Sequence, residues 1–570
     1  MAKIPRPSGS RPLAALALVL SVGAAARVAG PPLRDAPVVW HEDDRRDIPQ
    51  PAPRVVNRTR AGVEADLFQP IGRLFDPARF VRWIAGGFTR NATPLAHNVN
   101  ALDEVPNSSW FTNRIGLFPL TPDNLARGPM TDSGPAPEGV WTVSSKTEGV
   151  TPGFTIRDAR GRRFLLKFDP PGFPETASAA GVITGRVLHA AGYNVPADMI
   201  VTVRREQLVV GEGVTYDPLE GARRAMTEAD LDAILSGVEP TANGSWRALA
   251  SRFLDGTPVG PFDWRGRRRD DPNDQIDHEH RRELRAFRMF AAWLCHYDTK
   301  QGNSLDMYVE EDGRRFVRHY FLDFASTLGA GALRPIPSAC HEYSFDVALV
   351  LGRTLALGLW EDPWRRVTRP PDLPAIGYFQ SDAFHPMAFR PFEPNAAFAN
   401  FTDRDGYWAA KIISTFTDEH LRAAVAAGRY TNPAAAEWIA RVLAERRDII
   451  ARYFFDRVPP LDFFRVNAGW LRFRDLGAER GLYEPSSTRY RVRVATASAE
   501  GDEGPWGPWV EVETPDVDFE ALPHDQRSGD AGPESFVAVE LQVYRAESGW
   551  SRSVRAYIAR ASERVVAVDR

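Results

Sequence analysis

The stretch His296-Tyr-Asp-Thr-Lys-Gln-Gly-Asn303, followed about twenty residues later by His319-Tyr-Phe-Leu-Asp-Phe-Ala325, decides how this chain is read. The first segment comes directly after a strongly helical run from His278 to Cys295, and the second is an apolar strand pattern that ends in an acid. A carboxylate at Asp298 can position an attacking hydroxyl and accept its proton. An ammonium two residues on, at Lys300, can follow charge on a transferring group. The carboxamide oxygen of Asn303 and the carboxylate of Asp323 are the hard oxygens that Mg²⁺ takes. Together they are the parts that phosphoryl transfer from ATP requires.

His296 to Asn303 resembles the catalytic loop of the protein-kinase-like superfamily, and Leu322-Asp-Phe-Ala325 resembles its metal-binding tripeptide. The resemblance spans roughly Val140 to Phe455, with its specific motifs confined to these two segments. It implies an α+β, two-lobed fold, with a β-rich small lobe and a mainly α large lobe. It also implies a Lys on a small-lobe strand that meets the α- and β-phosphates, and Phe164-Leu-Leu-Lys167-Phe168 supplies one. A carboxylate on the following helix would orient that Lys; between Pro174 and Asp198 the only one is Glu175. A turn over the phosphates would come from Lys146-Thr-Glu-Gly149-Val-Thr-Pro-Gly153-Phe154.

The departures narrow the resemblance. The turn is not G-x-G-x-x-G, Glu175 stands eight residues after Lys167, the tripeptide ends in Ala325, and no Ala-Pro-Glu-like segment follows. Those differences point away from ordinary protein kinases and toward the atypical branch, nearer to HipA-type and phosphoinositide-type kinases. The implied function is transfer of phosphate from Mg-ATP to an unknown acceptor, protein or small molecule. The alternatives are a non-catalytic kinase-like scaffold and transfer of AMP on the same fold.

Working outward, the texture is strand-like from about residue 135 to 214, interrupted by one helix from Glu175 to about Ala191. Residues 215–277 are polar and rich in Gly and Pro, which reads as a connector or insertion. Helices are expected at Ser344–Leu357, Ala409–Ala427 and Pro433–Phe455, completing a large lobe over 278–458. Residues 459–570 alternate polar and apolar positions, as in Tyr490–Ala495 and Val537–Val543, which predicts a C-terminal β-sandwich-like domain. Residues 31–134 carry Pro, Asn and Arg with little periodicity, and read as an extended arm with short helices at Gly62–Leu74 and Pro77–Ile84.

The first 30 residues pair Lys3, Arg6 and Arg11 with an uncharged run from Leu13 to Ala26 and then small residues. This is a signal-peptide pattern, too short to span a bilayer, and it places the protein in a secreted or periplasmic setting. No later segment is long and apolar enough to cross a membrane. A net charge of −4 excludes counterion-driven binding to nucleic acid as a leading function. Cys295 and Cys340 are the only cysteines. They define neither a disulfide framework nor a metal site, and read as two unrelated buried thiols, with one bridge as the alternative.

Of 70 basic residues only five are Lys: Lys3, Lys146, Lys167, Lys300 and Lys411. An ammonium and a guanidinium do different chemistry, so each surviving Lys raises the question of whether Arg would fail there. Three of the five fall at or beside the phosphate-contacting positions, and Lys411 reads as a structural ion pair. His296 reads as a structural histidine that holds its loop. Asp277-His-Glu-His280 lacks the i, i+4 histidine pair of a zinc helix and reads as a polar helix start. Arg265–Arg269 reads as a solvated loop, and Trp506-Gly-Pro-Trp509 as packing rather than a sugar platform.

Overall fold

The computed structural model describes residues 32–55, 94–146, 152–216, 224–344, 353–356, 362–523 and 536–570. The leader, the short helices expected at 62–74 and 77–84, and most of the helix expected at Ser344–Leu357 lie outside the described residues. The architecture is mixed α/β.

After a short helix α1 (Pro122–Arg127), three antiparallel strands β1 (Trp141–Lys146), β2 (Gly153–Arg157) and β3 (Arg163–Phe168) form where the β-branched and aromatic runs lie. Helix α2 (Thr176–Ala191) follows, ended by Gly192. It leads into β4 (Asp198–Val203) and β5 (Leu208–Val210), the latter pairing in parallel with β1. The expected connector over 215–277 is corrected. It begins with a small hairpin of β6 (Thr215–Tyr216) and β7 (Arg224–Ala225), then helix α3 (Glu228–Ser236). Its strand β8 (Trp246–Arg252) lies inside the main sheet, whose order is β4-β8-β3-β2-β1-β5. Trp246-Arg-Ala-Leu-Ala-Ser-Arg252 has few β-branched residues, so propensity hid it; cross-strand partners on both sides hold it.

The chain leaves the sheet through β9 (Thr257–Gly260) and enters α4 (Arg282–Leu294), preceded by a single 3₁₀ turn at His278–His280. The hairpin of β10 (Ser304–Glu311) and β11 (Arg314–Phe321) then pairs with β9. The single helix expected over Ala409–Ala427 is two, α5 (Asp403–Ser414) and α6 (Asp418–Ala426), because Thr417 Oγ1 accepts the His420 N–H and starts a new helix. Helix α7 (Pro433–Phe455) forms as the sequence predicts, with Asn432 as its cap and Pro433 in its first turn. Helices α2, α4, α5, α6 and α7 bury one continuous aromatic and aliphatic core around Trp293, Trp408, Ile413 and Leu443. On the other side of α2, Val182 packs with Ile200 and Leu249 of the sheet. Among the described residues no helix is long and apolar enough to cross a membrane.

Beyond α7, strands β12 (Leu461–Asn467), β13 (Trp470–Asp475) and β16 (Asp516–Asp518) make one antiparallel sheet. A second is made by β14 (Arg489–Ala497), β15 (Val510–Val512), β17 (Phe536–Arg545), β18 (Gly549–Trp550), β19 (Val554–Ala559) and β20 (Arg564–Asp569). Leu471 and Phe473 of the first share a core with Val492, Val539 and Ile558 of the second. Trp506 and Trp509 lie under the guanidinium of Arg493, with Arg555 also over Trp506 and Arg491 over Trp509, so packing accounts for both rings.

Residues 32–55 run extended across the molecule. Leu33 donates its N–H to Ala499 O at 2.7 Å, Ile48 to Arg315 O at 2.9 Å and Arg54 to Val259 O at 3.0 Å. Lys411 is buried and pairs with Glu104 and, at 2.8 Å, with Asp462, which is the structural ion pair expected of it. Cys295 and Cys340 are joined in a disulfide, with Cα atoms 5.6 Å apart, in place of two separate thiols.

Candidate active site

The site forms where the end of α4 meets the end of β11. Cys295 closes α4 in the left-handed conformation (φ 48°), turning the chain out of the helix, and the His296 N–H still reaches Ala291 O at 2.8 Å. The imidazole of His296 lies between Phe287 and Phe324 and bonds to the Ser326 backbone; burial pulls it down to about 4, so it is neutral at ordinary pH. It holds the loop, as a structural histidine would.

The next turn places the polar side chains. Lys300 Nζ donates to Asp298 Oδ2 at 3.1 Å, and Asn303 Nδ2 donates to the Asp298 carbonyl at 2.8 Å. That bond spends the amide nitrogen of Asn303 on the loop and leaves its oxygen for another partner. Asn303 and Asp323 are brought together by the β10–β11 ladder, in which Ser304 pairs with Phe321 and Leu322 N–H donates to Asn303 O at 2.9 Å.

Asp323 adopts φ 57°, and its carboxylate pairs with Lys167 Nζ at 2.7 Å. Burial pushes its carboxyl up, but the Lys167 ammonium beside it, helped by the charge of Lys300, holds it below the usual carboxylate range. Lys167 reaches this point because it sits on β3 with its backbone in register with Gly153 on one side and Leu249 on the other. The structure thus pairs Lys167 with Asp323 and ties Lys300 and Asn303 to Asp298, the two groups meeting where Leu322 N–H bonds Asn303 O.

Gly149 is outside the described residues. Lys146 ends β1, where its backbone pairs with Phe154. Glu175 is a correction: its carboxylate accepts the Thr431 N–H at 3.0 and 3.2 Å, and the ion pair expected of it with Lys167 is made by Asp323. The reason is local. Glu175 occupies the residue before α2 in a left-handed turn (φ 65°), which sends its side chain to the Gly428–Asn432 link between α6 and α7. Arg247 reaches the same link through Gly428 O and, at 2.7 Å, Arg429 O, so this corner ties sheet to helices. A carboxylate that sequence reasoning passed over, Asp198 at the start of β4, is buried on the side of the sheet that carries Lys167.

Two protein oxygens, from Asn303 and Asp323, fit a divalent cation such as Mg²⁺, which keeps the rest of its shell for phosphate and water. The helix-start histidines do not make a second such site: His278 bonds to Asp274 at 2.9 Å, and His280 stacks on His97. Among the described residues no group of three or more His, Cys, Asp or Glu could hold a metal ion. In the basic run, Arg268 is fully buried against Asp306 at 3.1 Å, so this part of 265–269 is structural rather than solvated.

No protein-family model and no curated protein sequence matches the chain. Similar solved structures include the Helicobacter pylori proinflammatory kinase CtkA, at 11% identity over 55% of this chain and 98% of that one, with a TM-score of 0.28. A hydra Fam20 structure with sugar aligns at 12% identity over 52% of this chain and 96% of that one, with a TM-score of 0.23. The Golgi casein kinase with Mn/ADP bound aligns at 11% identity over 49% of this chain and 74% of that one, with a TM-score of 0.21.

Proposed function

We propose that this protein is an atypical, exported kinase-like phosphotransferase that uses Mg-ATP. The observation that carries the reading is the Lys167–Asp323 pair set beside Asp298, Lys300 and Asn303. In this reading the six-stranded sheet with α2 is the small lobe, and α4 through α7 build the large lobe. Asp298 accepts the proton of the acceptor hydroxyl as that oxygen bonds the γ-phosphorus and the bond to ADP breaks. Lys300 follows the charge of the phosphoryl group in transfer, and Lys167 meets the phosphates nearer the nucleoside. Asn303 and Asp323 would hold Mg²⁺, which when bound supplies charge neutralisation at the phosphate oxygens.

Export is supported by the leader pattern and by the Cys295–Cys340 bridge, since disulfides persist in oxidising compartments. The acceptor class is open to the same experiment that tests the activity. Purified protein is incubated with Mg²⁺ and γ-labelled ATP, alone and with candidate hydroxyl acceptors, and label transfer is followed with an intact-mass measurement. Mg-dependent label with a phosphoryl adduct supports the reading. An adenylyl adduct would replace it with AMP transfer, and no nucleotide consumption with any divalent metal would leave a binding scaffold.

A further inference from the structure

Kinase-type use of Lys167 raises a question that the described pairs leave open. Its ammonium is held by Asp323, the same carboxylate that a metal ion would claim. Glu175, the only carboxylate between Pro174 and Asp198, is committed to Thr431. Helix α2 itself, Thr-Ala-Ser-Ala-Ala-Gly-Val-Ile-Thr-Gly-Arg-Val-Leu-His-Ala-Ala, contains no acid at all.

Asp198 meets the need from the strand behind that helix. In the register, Leu165 of β3 and Asp198 of β4 both pair with Ser251 of β8, while Lys167 and Ile200 both pair with Leu249. Positions two apart on a strand share a face, so Asp198 and Lys167 lie on one side of the sheet, across the intervening strand. Helix α2 crosses this face at Gly185, where a Cβ would stand 4.0 Å from Asp198 Oδ2 and 3.9 Å from the Phe324 ring. At Gly181 a Cβ would stand 2.5 Å from Leu249, so the helix comes this close only without side chains there. Asp198 is 4% exposed, and its Oδ1 has no hydrogen-bond partner. Ser251 bonds its carboxylate, and Lys167, Arg186 and Asp323 are the charges that reach it. Arg186 spends its Nη2 on the Asp198 carbonyl at 2.8 Å and its Nε on Ala126 O at 2.7 Å, so these two nitrogens answer backbone oxygens rather than the carboxylate.

We propose that Asp198 is the positioning carboxylate of Lys167, holding the ammonium over the cleft when Asp323 turns to a metal ion. The proposal rests on the phosphotransfer reading for its purpose, but the pairing of Asp198 with Lys167 is testable without activity. With so few lysines in the chain, the rate at which Lys167 is modified by trinitrobenzenesulfonate can be read by mass spectrometry, with Lys300 as the internal control. In an Asp323→Asn background, Asp198→Asn is expected to speed modification of Lys167 by roughly threefold or more, because a side chain with no carboxylate to hold it meets the reagent more often. Lys300 should be unchanged. Asn keeps the shape and the Ser251 bond, so a purely structural role predicts that Asn behaves as Asp and only Ala accelerates; that result overturns the proposal, as does no change with either. Ser251→Ala, which keeps the Asp198 charge and removes the bond that competes for it, is the second variant if both Asp198 changes unfold the protein; it should slow modification of Lys167, and acceleration or no change would sink the idea. Acceleration in these variants, with no nucleotide turnover by the wild-type protein, would leave the pairing standing and remove the phosphotransfer reading instead.

Discussion

At the scale of single residues, the proposed roles of Asp298 and Asp323 separate chemistry from binding. Asp298 touches neither Lys167 nor the proposed metal ligands except through the Asn303 bond to its backbone, so its carboxylate, paired with Lys300 Nζ at 3.1 Å, stands apart from the proposed metal. Asp298→Asn is expected to lower turnover by roughly 10²–10⁴-fold while nucleotide affinity stays near the wild-type value. Steady-state kinetics beside a nucleotide titration checks both. These positions were legible in the sequence because loop, short turn and acid-tipped strand follow one another closely. Glu175 was misread because sequence spacing does not show where a left-handed residue aims its side chain. Asp198 escaped notice because its place depends on two strand registers, both of them with a strand that its composition concealed.

At the scale of elements, the disulfide fixes the segment on which the site depends. Cys295 is the turn residue that ends α4 one position before His296, and Cys340 lies in the chain that follows Asp323, so the bridge ties the two ends of the site's backbone together. Leu328 N–H adds a bond to Leu294 O at 2.7 Å beside it. Replacing both cysteines by Ser should cost about 2–4 kcal/mol of stability, measured by denaturant unfolding, as expected for closing a loop of this length. Helix α4 and strands β1 to β4 formed where apolar periodicity and punctuation predicted them. The bridge did not emerge from the sequence, since two cysteines carry no information about distance.

At the scale of the whole molecule, charges buried between segments far apart in sequence bind arm, helices and C-terminal sheets. Lys411 of α5 meets Glu104 and Asp462; Arg570 meets Asp462 at 2.8 Å; Arg282 of α4 meets Asp103 at 2.6 Å and Asp405 at 3.3 Å. Lys411→Ala leaves Glu104 and Asp462 short of a cation in a buried place, and is expected to cost roughly 3–5 kcal/mol in an equilibrium melt. The arm adds a pH dependence. Burial pushes Glu42 up to about 7, against the pull of Arg281 at 3.0 Å. The folded protein therefore holds a proton that the unfolded chain releases near its ordinary value of 4.5. Stability from this group falls as pH rises between those two values and is level above them. Thermal melts across that window should show a flatter slope for Glu42→Gln than for wild type; equal slopes would exclude this role for Glu42. The general plan, mixed α/β with a β-rich end, was readable from composition and periodicity. The interlocking charges were not, because each joins residues that only the folded chain brings together.

The proposed nucleotide site can be tested without knowing the acceptor. Calorimetric titration of ADP into the protein, with and without Mg²⁺ or Mn²⁺, tests it most directly, using wild type, Lys167→Met and Asp323→Ala. The account predicts binding that requires the metal in wild type and is lost in Asp323→Ala, with Lys167→Met weakened. Full metal-dependent binding by Asp323→Ala, or no binding by the wild-type protein under any metal, would contradict it.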